Sequence, residues 1–130
     1  MPDTIPIRTP EDVVQVRTAV RKAAIAAKLG LVDQTKLVTA ASELARNTLD
    51  YGKGGSVVIE RVEAAKTGIR LTFEDRGPGI PNIELAMTDG WTSGSGMGLG
   101  LSGTRRLMDE FQLASKPGEG TTVIITKWSR

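Results

Sequence analysis

At 130 residues, with 17 Lys plus Arg against 15 Asp plus Glu, the chain reads as one domain, residues 1–130, with no charge excess to hold a polyanion. It has no Cys and no His, which excludes disulfides, thiolate or imidazole metal sites, a Ser–His triad and a histidyl phosphoacceptor, and leaves oxygen donors and Mg²⁺-like ions. Two Phe, two Trp and one Tyr, interspersed charges, a start without an apolar h-region and no long apolar run predict a cytoplasmic protein that binds no nucleic acid and crosses no membrane.

Residues 4–8 predict a short strand, ended by Pro10. Residues 11–29 carry Val13, Val16, Val20, Ala23 and Ala27 at the spacing of one helical face, and Gly30 stops the pattern. Asp33 is the expected N-cap of a second helix, with Leu37, Ala40, Ala41, Leu44, Ala45 and Thr48 as its apolar stripe and a glycine-rich end at 51–55. Strands are predicted over 56–62 and 69–74, joined by a turn at Lys66-Thr67-Gly68. From Gly77 to Gly103 the chain spends eight of its 15 glycines, a density that predicts a functional loop and a lid over about residues 83–98. A third helix is expected over 101–111, using Leu101, Thr104, Met108 and Phe111, and a β-branched final strand over 121–128. This order predicts an α+β, two-layer sandwich: a mixed sheet with helices on one face.

Three constellations carry chemistry. Glu43 and Asn47 stand four residues apart on the second helix, neighbours beside the apolar stripe, where a carboxylate can act as a base and an amide oxygen can hold a hard cation. Asp75-Arg76-Gly77-Pro78-Gly79-Ile80 follows a strand directly, so its carboxylate is placed to accept from an amino group while the glycines permit a sharp turn; Asp, Gly and Pro are equally the residues of an ordinary strand-ending turn. Gly94-Ser95-Gly96-Met97-Gly98-Leu99-Gly100-Leu101 alternates glycine with other residues and runs into a helix, a pattern whose amides can wrap phosphate oxygens. Gly98, Gly100 and Gly103 satisfy G-x-G-x-x-G, but no apolar strand precedes them, and no G-x-x-x-x-G-K-[ST] occurs.

An acid–amide pair on a helix, an acid–glycine turn after a strand, then a glycine-rich loop into a helix resembles, in that order, the GHKL ATPases with their Bergerat ATP-binding fold, over about residues 33–128. The short length narrows the likeness to the small serine kinases of bacterial partner-switching systems. Ser42 to Asn47, Glu74 to Pro81, Arg106-Leu107-Met108-Asp109-Glu110-Phe111 and the closing Lys127-Trp128 look like the switch kinases of the stressosome.

The resemblance implies the following roles. ATP and Mg²⁺ are the cofactors, with Asn47 as the metal ligand and Glu43 as the catalytic base toward a partner's serine. Asp75 takes the adenine amino group, with Gly77, Gly79 and Ile80 beside it. Gly94, Gly96, Met97, Gly98, Leu99 and Gly100 close over the phosphates, and Thr121 or Thr122 supports the adenine pocket. The partners implied are a STAS-domain scaffold or antagonist carrying the acceptor serine and, downstream, a PP2C-type phosphatase or similar regulator, with room for a homodimer. The alternative is an ATP-binding anti-sigma factor or binding switch without kinase activity, which needs Asp75 and the glycines but not Glu43.

Overall fold

The computed structural model describes residues 2–80, Met87 and residues 100–130. The expected lid over 83–98 and the glycine-rich residues Gly94, Gly96, Met97, Gly98 and Leu99 therefore lie outside the described residues, except Met87, which packs partly buried against the core. In chain order the elements are β1 (Asp3–Ile7), α1 (Pro10–Ala26), α2 (Leu31–Asp50), β2 (Gly55–Glu63), β3 (Thr67–Asp75), α3 (Leu101–Leu107), β4 (Glu110–Lys116) and β5 (Gly120–Trp128). The strands form one sheet in the order β1-β2-β3-β5-β4.

The two-layer α+β architecture is as expected, but every pairing among the described strands is antiparallel rather than mixed. The physical reason is β4, a strand absent from the expected set. The helix expected over 101–111 ends at Leu107, because Met108 turns extended (φ −103, ψ 155) and the Asp109 amide donates to the Thr126 carbonyl at 3.1 Å. Phe111 thus sits in a strand paired with Ile125, and β4 turns back into β5 as a hairpin.

Capping explains the start of the first long helix but not of the second. Thr9 and Asp12 form a reciprocal capping box ahead of α1, with Pro10 in the first position. The second helix begins at Leu31, with Gly30 rather than Asp33 as its N-cap residue, so Asp33 stands inside the first turn. α1 ends at Ala26, three residues short of the expected end, and Lys28 takes a left-handed φ of 65.

Val13, Val16, Val20 and Ala24 of α1, and Leu37, Ala41, Leu44 and Ala45 of α2, are buried against Val57, Ile59, Ile69, Leu71, Phe73, Val123 and Ile125 of the sheet. Strand alternation sends one face of the sheet into this core, and among the described residues no helix covers the other face. Among the described residues, no helix is long and apolar enough to cross a membrane.

Candidate functional site

The C-terminal half of α2, the start of α3 and the ends of β3 and β5 line a narrow cleft. Its walls are apolar, with Leu44, Phe73, Ile80, Leu101 and Val123. Its polar members are Asn47, Thr48, Tyr51, Asp75 and Thr121. An apolar slot with a few convergent polar groups suits a flat ring bearing hydrogen-bonding edges.

Asp75 ends β3, where the ladder pairs it with Gly55 on one side and Thr121 on the other. Its Oδ1 accepts the Gly77 amide at 2.9 Å, which closes the turn. Burial pushes its carboxyl above the usual range, opposed in part by the Gly77 and Thr121 amides, with no cation among the causes. A half-buried carboxylate without a countercharge, facing an apolar slot, is placed to receive a donor from a ligand.

The glycines of this turn are demanded first by the protein's own backbone. A Cβ on Gly77 would stand 2.7 Å from Gly52 Cα, just past α2, and one on Gly52 would run into the Asp75 side chain. Gly79 has φ 78, and a Cβ there would collide with the Lys116 carbonyl in the β4–β5 hairpin. The turn is thus wedged between α2 and the hairpin, and that wedge aims Asp75 and Ile80 into the cleft.

Several contributors carried no recognisable local signal in the sequence. Tyr51 donates its hydroxyl to the Gly79 carbonyl at 3.0 Å, bridging 28 positions. Ser115 accepts the Ile80 amide at 2.7 Å and lies 2.8 Å from the Thr121 hydroxyl. Both depend on pairings that local spacing does not reveal. Of the two threonines considered, Thr121 is buried and lines the cleft, while Thr122 faces the opposite side of the sheet beside Glu74 and Arg76.

Glu43 and Asn47 lie one turn apart on α2 as the spacing requires, and Asn47 borders the cleft. Glu43 is half-buried just outside it, where its carboxylate packs against Gly100 so closely that a Cβ on that residue would meet Oε1. The fold therefore joins the acid–amide pair to the end of the glycine-rich segment and, through Asn47, to Asp75 across the cleft. Among the described residues no three acidic side chains cluster as a ready-made cation cage. The Asn47 amide oxygen supplies one hard donor, a set that fits Mg²⁺ taking its remaining ligands from phosphates and water.

Residues 32–129 match the family described as histidine kinase-, DNA gyrase B-, and HSP90-like ATPase. The chain is 46% identical over 125 residues to the serine/threonine-protein kinase RsbT of Bacillus subtilis, covering 95% of this chain and 94% of that one. It is 34% identical over 113 residues to an anti-sigma F factor of a Thermoanaerobacter species, covering 82% of this chain and 79% of the other. Among solved structures, the RsbU and RsbW domains of a Mycobacterium tuberculosis protein superpose with a TM-score of 0.69 at 22% identity, over all of this chain and 33% of that one, a likeness of fold alone.

Proposed function

The chain belongs to the histidine kinase-, DNA gyrase B-, and HSP90-like ATPase family, and we infer that it is an ATP-dependent protein serine/threonine kinase of a bacterial partner-switching pathway. The observation that carries this reading is the joining, around one cleft, of an uncompensated Asp75 carboxylate with Asn47, and of Glu43 with Gly100 at its border. Asp75 accepts from the adenine amino group, and Leu44, Phe73, Ile80 and Val123 hold the faces of the ring. Asn47 would hold Mg²⁺, which when bound neutralises charge on the phosphates. Glu43 takes the proton of a partner's serine hydroxyl as the oxygen attacks the γ-phosphorus and the bond to ADP breaks. Phosphoryl transfer asks mainly for positioning and charge neutralisation, which a domain this small can supply.

The acceptor is proposed to lie on a STAS-domain protein, and the freed kinase to activate a PP2C-type phosphatase or similar regulator. The high identity to RsbT over nearly the whole of both chains supports the kinase reading. The test is incubation of the protein with labelled Mg-ATP and a STAS-domain protein encoded beside it. Label on a serine of that protein is expected; binding of nucleotide without any transfer refutes the kinase. A second reading, nucleotide-dependent capture of a sigma factor, draws on the anti-sigma F relatives and predicts that Glu43 is dispensable.

A further inference from the structure

Lys127, near the end of β5, is 3% exposed. Its ammonium donates to the carbonyl of Leu107, the last residue of α3, at 2.9 Å. It also stands 3.6 Å from Oδ1 of Asp33, in the first turn of α2, and 3.5 Å from Oδ1 of Asp109. Arg130 closes the cluster from outside, 3.2 Å from Asp33 and 2.9 Å from Asp109. Asp109 Oδ2 further accepts the Trp128 amide at 2.8 Å. Desolvating an ammonium and two carboxylates is costly, and apolar side chains fill such a site at least as well, so stability alone is a weak account of it. Its distinctive property is geometric: α2, α3 and the sheet all meet at one nitrogen.

The other end of α3 lies at the candidate site, where Gly100, in the left-handed region at φ 63, packs against the Glu43 carboxylate. Seven helical residues span about 10 Å, too short to flex appreciably. Inside the helix the Thr104 hydroxyl bonds the Gly100 carbonyl at 2.9 Å, which stiffens the first turn. The short helix is therefore fastened to α2 twice, through Gly100 at Glu43 and through Lys127 at Asp33. A shift at one fastening is passed to the other.

We propose that Lys127 is a positioning residue: by tying the last carbonyl of α3 to the first turn of α2, it sets where Gly100 stands relative to Glu43 and Asn47, and so the affinity of the site for the phosphates of its nucleotide. The inference rests on the nucleotide reading above. Calorimetric titration of adenosine and ATP into the native protein, Lys127→Met and Asp33→Asn, well below their unfolding temperatures, tests it. Adenosine reports the Asp75 end, and the ratio of ATP to adenosine affinity reports the Glu43–Asn47 end. In Lys127→Met the ratio falls about 5-fold or more, the ordinary floor of coupling between sites, while adenosine affinity stays within about twofold.

Asp33→Asn leaves Lys127 paired with Asp109, so it folds even where Lys127→Met does not, and its ratio then decides alone. Removing a negative charge would by itself favour ATP, so a fall in Asp33→Asn is geometric and not a field effect. An unchanged ratio in the folded variants, with nothing but a lower Tm, overturns the proposal. An equal loss of adenosine and ATP affinity also overturns it, because that is what general loosening does. A native protein that binds neither ligand overturns the nucleotide reading itself, an outcome visible before any variant is made.

Discussion

Replacing Asp75 by Asn separates the two things a half-buried turn carboxylate can do. The side chain keeps its shape, and the remaining carbonyl oxygen still accepts the Gly77 amide now held at 2.9 Å. Its new amide group, however, presents a donor where the Thr121 amide also presents one and where, on the proposed function, the adenine amino group does too. A hydrogen bond to a charged group is worth about 1.5–3 kcal/mol, so nucleotide affinity is expected to fall about 10- to 150-fold. Stability moves the other way. Burial raises the folded pKa of Asp75 above its ordinary value of 3.8, so the native state binds this proton more tightly than the unfolded chain does. The resulting stability is fully present below pH 3.8 and is lost as pH rises through the folded value. At pH 7 the native protein carries the whole cost of burying the charge, and Asp75→Asn carries none of that cost, which offsets its donor facing the Thr121 amide. Calorimetry with ADP beside thermal unfolding without nucleotide, at pH 7 and again near pH 4, reads both effects. Weaker binding with an equal or higher Tm at pH 7, the Tm difference shrinking at pH 4, is expected. A lower Tm with unchanged affinity would show that Asp75 only closes a turn.

Three further outcomes follow from the same geometry. Glu43→Ala still binds nucleotide through Asp75 but slows transfer to the partner serine by about 10²–10⁴, measured by phosphoserine formation at saturating ATP; transfer at the native rate removes Glu43 as the base. Gly79→Ala forces a Cβ onto a backbone at φ 78 facing the Lys116 carbonyl, a strain of about 1–3 kcal/mol that lowers Tm by about 3–10 °C; a Tm within a degree of the native value would mean the turn relaxes freely. At Asp109 burial acts to raise the pKa, but the Trp128 amide, Lys127 and Arg130 outweigh it and hold the carboxyl below 3.8. Its contribution is present above that pH and lost as pH falls through the folded value, so Asp109→Asn should flatten the acid limb of the stability curve, and an unchanged limb would argue against the ion cluster.

The elements that could be read from the sequence are those whose causes are local. Val13, Val16 and Val20 repeat at helical spacing, and the Thr9–Asp12 box and Pro10 sit at the start of the same helix, so α1 follows from its own residues. The acid–amide pair and the acid–glycine turn were legible for the same reason: each lies within one helical turn or one tight turn. The end of α3 was not. Leu101, Thr104, Met108 and Phe111 keep helical spacing past residue 107, and what stops the helix is the Lys127 ammonium taking the Leu107 carbonyl and Thr126 taking the Asp109 amide. Both partners come from β5, far along the chain. The alternation of Phe111, Leu113 and Ser115, half-buried between exposed neighbours, was a strand signal present all along, but it was masked by a helical pattern that shares Phe111.

Asp33 shows the same competition between local and distant causes. An acid at the head of an apolar helical run is a good N-cap by local rules. The helix instead begins three residues earlier, with Gly30 as its N-cap residue, and the Asp33 carboxylate inside its first turn pairs with Lys127 and Arg130. The run from Arg106 to Phe111 and the closing Lys127-Trp128, which looked like separate marks of a switch kinase, are two halves of this one assembly: Asp109 pairs with Lys127, and Glu110 accepts the Trp128 indole N–H at 2.6 Å. Residues that look independent along the chain are then held together by a single requirement, the placement of a seven-residue helix between its two fastenings.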